Sequence, residues 1–264
     1  PEAQSHPGGK VGVLANHLVH SYREGLFRRH AVLQGATLLL RPGEIVGLQG
    51  SSGAGKSTFA ACVAGLLFPD RGSVHVNGLP LRLLGGKAYR KVRRNLQLLF
   101  QSPHAALHPN MRVIDALRET ALYVAGLSPT EAAREVDRVL KRVGLEDRAQ
   151  AFPEALSGGE LRRVGIARIL IVKPDFLVVD EPTACVDASL RAGILQLLEQ
   201  LNRGPGRTGI LLISHDSDVI GFLSHRVLLM RRGQIVRSDG MPETYDIMSA
   251  PFPGQSLLMR AGRL

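Results

Sequence analysis

The stretch Glu44-Ile45-Val46-Gly47-Leu48-Gln49 runs directly into Gly50-Ser51-Ser52-Gly53-Ala54-Gly55-Lys56-Ser57-Thr58, and this junction constrains the fold more than anything else in the chain. The first part has the apolar pattern of a short buried strand. The second fills the spacing GxxxxGK[ST] and leads into small and apolar residues that suit a helix. Glycines let the loop backbone curl so that successive N–H groups face one point, and the helix start adds its partial positive charge. That is a seat for phosphate. Lys56 is placed to reach the outer phosphates, Ser57 to offer a hydroxyl to Mg²⁺, which prefers hard oxygen ligands, and Thr58 to follow in the first helical turn.

Further strand patterns stand at Leu96 to Phe100, Phe176 to Val179, Ile210 to Ile213 and Arg226 to Met230, with helical patterns between several of them. Such alternation predicts an α/β fold with a mainly parallel sheet. Between Gln101 and Leu170 the pattern turns helical: Val113 to Val124, Pro129 to Val143 with Ser128 as N-cap, and Gly159 to Leu170 after a Ser-Gly-Gly turn. A helical subdomain inserted into the sheet is expected. The run Phe59 to Phe68 reads as one buried helix, and Gly204 to Gly209 as an exposed loop.

A chain of 264 residues can bury a large core, and 44% hydrophobic with 21% charged residues is ordinary globular usage. Cys62 and Cys185 stand far apart with no CxxC, so neither a zinc cage nor a disulfide framework is suggested. No apolar run reaches the roughly 18 residues that a spanning helix needs. Pro1 to Lys10 lacks the apolar centre of a secretory leader and reads as a flexible lead-in. The net charge is +10, but basic residues are dispersed, concentrating only at Arg90 to Arg94 and at Arg231 and Arg232. Aromatics are 5% with no Trp, a poor stacking platform, so nucleic acid is not expected as a partner.

Phe176-Leu177-Val178-Val179-Asp180-Glu181 is an apolar strand ending in two acids beside the phosphate loop. Asp180 would support Mg²⁺, and Glu181 would position and polarise an attacking water. Leu156-Ser157-Gly158-Gly159-Glu160 sets a Ser and two glycines before another helix, a second anion-binding start. One nucleotide on one chain does not need two such seats, so the second is best used on a partner's phosphate.

GSSGAGKS, Gln101, LSGGE, VVDE and His215, in this order and at these distances, resemble the ATP-binding cassette (ABC) ATPases over residues 11 to 236. The resemblance implies a P-loop NTPase core of the RecA type, with an N-terminal antiparallel β part and the inserted helical subdomain. Residues 1–102 and 171–237 would form the two parts of the ATP-binding core, 103–170 the helical subdomain and 238–264 a tail. The cofactors it implies are ATP and Mg²⁺, with each ATP held between one chain's phosphate loop and the other chain's LSGGE. Tyr22 matches the aromatic that stacks on adenine. Gln101 matches the switch glutamine that touches Mg²⁺ and the water, His215 the switch histidine near the γ-phosphate, and Asp187 the aspartate loop that crosses the dimer interface. Two places depart from the family's usual residues: Glu160 replaces Gln, and Ala184-Cys185-Val186-Asp187 replaces Ser-Ala-Leu-Asp.

Ser102-Pro103-His104-Ala105-Ala106-Leu107-His108-Pro109-Asn110-Met111-Arg112-Val113 resembles the FQDP…SLNPRMTV stretch of the peptide and nickel importer branch, and the chain is similar to that branch's second nickel-importer ATPase subunits. Residues Ala250 to Leu258 look like a degraded form of the branch's HPYT…LL ending. The implied activity is ATP hydrolysis driving uptake of nickel, peptide or a metal chelate. The implied partners are a second ATPase chain, as a heterodimer before a homodimer, two integral-membrane permeases and, indirectly, an extracytoplasmic solute-binding protein. The implied location is peripheral, on the cytoplasmic face of the inner membrane. The competing expectation is an ABC ATPase of a soluble assembly, of the carbon–phosphorus lyase or iron–sulfur assembly type. A DNA-repair ATPase is disfavoured because the segment from Gln101 to Ser157 has no room for a long coiled coil.

Overall fold

A computed structural model of the chain describes residues 11–24, 28–99, 107–183 and 188–237. The chain opens with two long strands, β1 (Val13–Glu24) and β2 (Arg28–Leu40), paired antiparallel. β3 (Ile45–Gln49) and α1 (Lys56–Val63) flank the glycine-rich loop. After them come β4 (Arg71–Val76), β5 (Leu79–Pro80), α2 (Gly86–Asn95) and β6 (Leu96–Leu99). The helices α3 (Val113–Glu119), α4 (Pro129–Val143) and α5 (Gly158–Val172) precede β7 (Phe176–Asp180). The last described elements are α6 (Ala188–Arg203), β8 (Gly209–Ile213), α7 (Ser217–Leu223), β9 (Arg226–Arg231) and β10 (Gln234–Arg237).

Among the described residues there are two sheets: an antiparallel one in the order β2-β1-β4-β5, and a larger one in the order β10-β9-β3-β8-β7-β6. In the larger sheet β6, β7, β8, β3 and β9 are parallel neighbours, and β10 alone runs antiparallel at the edge. This is the mixed α/β architecture that the sequence predicts, antiparallel N-terminal part included.

The central strands are apolar throughout because both faces are covered. Phe176 and Val178 of β7, Leu211 and Ile213 of β8, and Val46 and Leu48 of β3 pack with Phe59, Ala60 and Val63 of α1 and with the antiparallel sheet. Leu177, Val179, Ile210 and Leu212 point the other way, into a core shared with α3 to α7. Period-two alternation thus feeds two separate cores from one strand. The ends of β3, β7 and β8 are held on a frame where truncating Phe59 or Leu211 to Ala would cost about 2–5 kcal/mol.

The helical segment follows its caps. Ser128 and Glu131 close a reciprocal capping box at the start of α4, with Pro129 in the first turn. Its end is a left-handed Gly144 whose N–H bonds to Lys141 O, while Leu145 N bonds to Leu140 O. The helix expected over 113–124 is α3 followed by a wider turn at Thr120–Val124, with Ala125 N bonded to Thr120 O at 2.9 Å. The buried Thr120 hydroxyl donates to Ala116 O at 2.8 Å and accepts from Arg168 Nε at 3.2 Å, which accounts for the loosened turn.

Two expectations are corrected. The run Phe59 to Phe68 is not one buried helix. α1 stops at Val63, because Gly65 turns left-handed (φ 70°) and Leu66 N bonds back to Ala61 O, leaving Leu66 and Phe68 exposed. Nor is 204–209 all exposed loop: Thr208 is buried with its hydroxyl on Pro174 O at 2.8 Å, and Gly209 opens β8. A Cβ at Gly209 would lie 2.6 Å from Arg41 O, so the glycine serves close packing.

Candidate active site

The phosphate loop bridges the C-terminal end of β3 and the start of α1. Gly53 (φ 77°) and Gly55 (φ 104°) adopt backbone conformations that L side chains resist, and a Cβ on Gly55 would lie 2.8 Å from Val32 O. Gly55 is the N-cap of α1; no side chain caps the helix and no acid stands in its first turn. The leading N–H groups of α1, at Lys56, Ser57 and Thr58, therefore face outward with the positive helix end behind them. Lys56 Nζ donates to Gly50 O at 2.8 Å and Ser51 O at 2.9 Å, arching over the loop from within.

The loop borders a cavity of about 720 Å³, lined by Gly50, Ser52, Gly53, Gly55, Lys56, Ser57 and Thr58, with Asp180, Glu181 and His215 opposite. The loop and the acids meet because β3, β8 and β7 are parallel neighbours whose C-terminal ends lie on one edge. Burial pushes the Asp180 carboxyl above the ordinary carboxylate value, against the hydrogen bond from Ser57; the Glu181 charge adds to the rise and Lys56 opposes it.

Glu181 is buried and left-handed (φ 50°), a conformation that a non-glycine residue keeps only when its surroundings fix it. Its backbone N–H donates to Ile213 O at 2.9 Å, and its carbonyl accepts from the buried Arg162 guanidinium. Its carboxylate accepts from His215 N at 3.0 Å, lies 2.9 Å from His215 Nδ1, and accepts from the Ser214 hydroxyl at 3.4 Å. Thus the structure brings Glu181 and His215 into direct contact. Asp216, next in sequence, caps α7 and pairs with Arg191.

Tyr22 is 45% exposed, and its hydroxyl lies 3.4 Å from Thr58 Oγ1. The buried His20 stands edge-on to the ring, with centroids 4.9 Å apart at 87°. Asp70 holds this strand end, accepting from Ser21 N at 2.9 Å and lying 3.8 Å from His20 Nδ1. Sequence reasoning missed His30 and Val32, which line the same cavity from β2. No motif marks them; the signal lies in the β1 to β2 register, which pairs Tyr22 with His30.

Ser157, Gly158, Gly159 and Glu160 stand apart from this cavity. Ser157 caps α5, accepting from Glu160 N at 3.2 Å while its own N–H donates to Glu160 Oε2 at 2.8 Å. Arg148 Nε donates to Glu160 Oε1 at 2.9 Å. The Ser157 N–H above all, with the Ser157 hydroxyl and Arg148, holds the Glu160 carboxyl below its ordinary value against the opposing effect of burial. Gln101 and Asp187, and Cys185 with them, lie outside the described residues. Cys62, on α1, is buried in the core, and burial, with the Asp70 charge, pushes its thiol up to about 12, which suits a packing residue.

The sequence profile described as ABC transporter matches residues 33–184, more than half of the chain. The chain belongs to that family. The cassette is 36% identical over 234 residues to the nickel import ATP-binding protein NikE of Escherichia coli K12, covering 88% of this chain and 87% of that protein. It is 39% identical over 236 residues to the methionine import ATP-binding protein MetN of Brucella abortus, covering 88% of this chain and 62% of MetN. A solved dimeric ATP-binding cassette in a post-hydrolysis state with ADP and Pi superimposes with a TM-score of 0.77 at 28% identity, covering 85% of this chain and 97% of that one. The cassette described here is an ABC ATPase. Among its described residues no helix is long and apolar enough to cross a membrane.

Proposed function

We propose that this cassette is the ATP-hydrolysing subunit of an importer, taking up nickel, a peptide or a metal chelate through partner permeases. The relatives named for nickel and methionine import support the importer reading. In this reading the chain works from the cytoplasmic face of the inner membrane, beneath two permeases served by an extracytoplasmic binding protein. A second ATPase chain completes the motor, in a heterodimer by preference. The helical segment 103–170 forms the lobe that carries LSGGE, between the two parts of the ATP-binding core at 1–102 and 171–237, with 238–264 as a tail.

One observation carries the reading. The residues that line the phosphate cavity include Lys56, Ser57, Asp180, Glu181 and His215 but none of Ser157 to Glu160, whose helix start is exposed elsewhere. Two anion seats on one chain that do not share a cavity suit a sandwich in which each seat serves a different nucleotide.

The donor set of Ser57 hydroxyl and Asp180 carboxylate is all oxygen, joined by a hydrogen bond, and fits a hard dication. These two residues, with Gln101, would hold Mg²⁺, which when bound neutralises phosphate charge. The phosphate loop binds and orients the triphosphate through its open N–H groups and Lys56. Glu181 holds the attacking water in line, and His215, bonded to Glu181 at rest, fixes the carboxylate and sits toward the outer phosphate. Closure of the two chains excludes water, and hydrolysis releases them.

Glu181→Gln tests the assignment. It should bind ATP and accumulate as an ATP-dependent dimer on size-exclusion chromatography, with hydrolysis lowered by about 10²–10⁴-fold. Hydrolysis equal to wild type would remove Glu181 from its role. Purification from native membranes with two permeases tests the importer, whereas recovery in a soluble complex would overturn it.

A further inference from the structure

We propose that His30 contacts the nucleoside half of the bound nucleotide, facing it from the strand opposite Tyr22. The β1 to β2 ladder pairs Tyr22 directly with His30. Opposed residues of an antiparallel pair project to the same face, with Cβ atoms about 4.5–5.5 Å apart, and the residue two further along the strand shares that face. Tyr22, His30 and Val32 therefore form one patch.

Three observations turn this patch toward the nucleotide. His30 and Val32 line the same cavity as Gly50, Lys56 and Asp180. The Tyr22 hydroxyl lies 3.4 Å from Thr58 Oγ1, in the first turn of α1. The main chain of Val32 comes so near the phosphate loop that a Cβ on Gly55 would lie 2.8 Å from its carbonyl oxygen.

The chemistry of the patch differs from that of the loop. Backbone N–H groups and an ammonium suit phosphate oxygens; a phenol ring, a valine and an imidazole suit a planar heterocycle with a sugar attached. An imidazole can donate or accept, so it can bond a ribose hydroxyl or a base edge. His30 is exposed, and its ring is bonded to none of the described residues, leaving both nitrogens for a ligand. By contrast, the buried His20 stands edge-on to Tyr22 and is not among the residues that line the cavity.

The proposal rests on the ATPase reading, and the test separates the two. Calorimetry on the full chain would compare ATP with inorganic tripolyphosphate, which lacks the nucleoside, for wild type, His30→Ala and His30→Gln. His30→Ala should weaken ATP by about fivefold, as loss of one hydrogen bond would, and leave tripolyphosphate unchanged. His30→Gln, which keeps a donor and an acceptor, should recover part of the loss. In turnover assays KM for ATP should rise with kcat unaltered. Unchanged ATP affinity in His30→Ala, or a parallel loss for both ligands with an unaltered melting curve, would overturn the contact. A wild-type chain that binds neither ligand would instead overturn the ATPase reading itself.

Discussion

α1 and α5 both begin with a small residue and glycine, yet the two helix starts are finished in opposite ways. At α1 the N-cap is Gly55, left-handed, with no side-chain cap and no acid in the first turn. At α5 the N-cap is Ser157, closed by a capping box to Glu160, which is itself paired with Arg148. The first start leaves donors open and a positive helix end unopposed, so an anion from outside completes it. The second has its Ser157 and Glu160 N–H groups satisfied within its own chain and a carboxylate already beside it. In the proposed sandwich this difference would set an order: the triphosphate would seat on the loop first, and a partner's Ser157 would join it afterwards.

The comparison is broken or sharpened by substitution, beginning with the largest effect. Ser157→Arg in one chain should abolish hydrolysis at the site whose phosphate loop belongs to the partner and leave that chain's own loop competent. Mixed dimers with one inactivated loop would read this out, and silencing of its own loop would refute the sandwich. Lys56→Ala should weaken ATP by about 10- to 100-fold, the range for a lost charge-assisted hydrogen bond, with the melting temperature unchanged.

Asp180→Asn separates binding from stability. Because burial raises the Asp180 carboxyl, its charged form is disfavoured by folding. The cost is absent below the unfolded value of about 3.9 and fully present above the raised folded value. The nucleotide-free variant should therefore melt higher than wild type at pH 7, with the gain fading as the pH falls toward that value. Thermal melts across pH would check it; a lower melting temperature at pH 7 would mean that the charge is compensated. Smallest is Glu160→Gln, which keeps the capping acceptor and removes one negative charge from the second seat. KM for ATP should fall about two- to threefold in steady-state assays, and an unchanged KM would mean that Arg148 already neutralises Glu160.

Much of this site was legible because its residues are neighbours in sequence. The strand–loop–helix at 44–58, the acids closing β7 and the Ser caps of α4 and α5 are local patterns, each with a local physical cause. What stayed hidden depends on long-range pairing. The register that sets His30 opposite Tyr22 includes shifts along β1 near Ala15, Leu18 and His20, which no alternation of residue types announces. Arg162 reads as one more charge on a helix until the fold buries it against β7. The end of α1 was hidden differently: the apolar run continues past Gly65, and only the left-handed turn there decides where the helix stops.

Arg162 sits in the second turn of α5, just past the outward-facing Ser157, and its guanidinium ends on the main-chain carbonyl of Glu181. The exposed start of the helix is thus braced, one turn in, against the backbone that bears the Glu181 carboxylate. In the sandwich proposed above, a tilt that docking imposes at Ser157 would reach that backbone through the buried Arg162. Such a sandwich would give the chain a mechanical relay from what it offers its neighbour to what it does for itself.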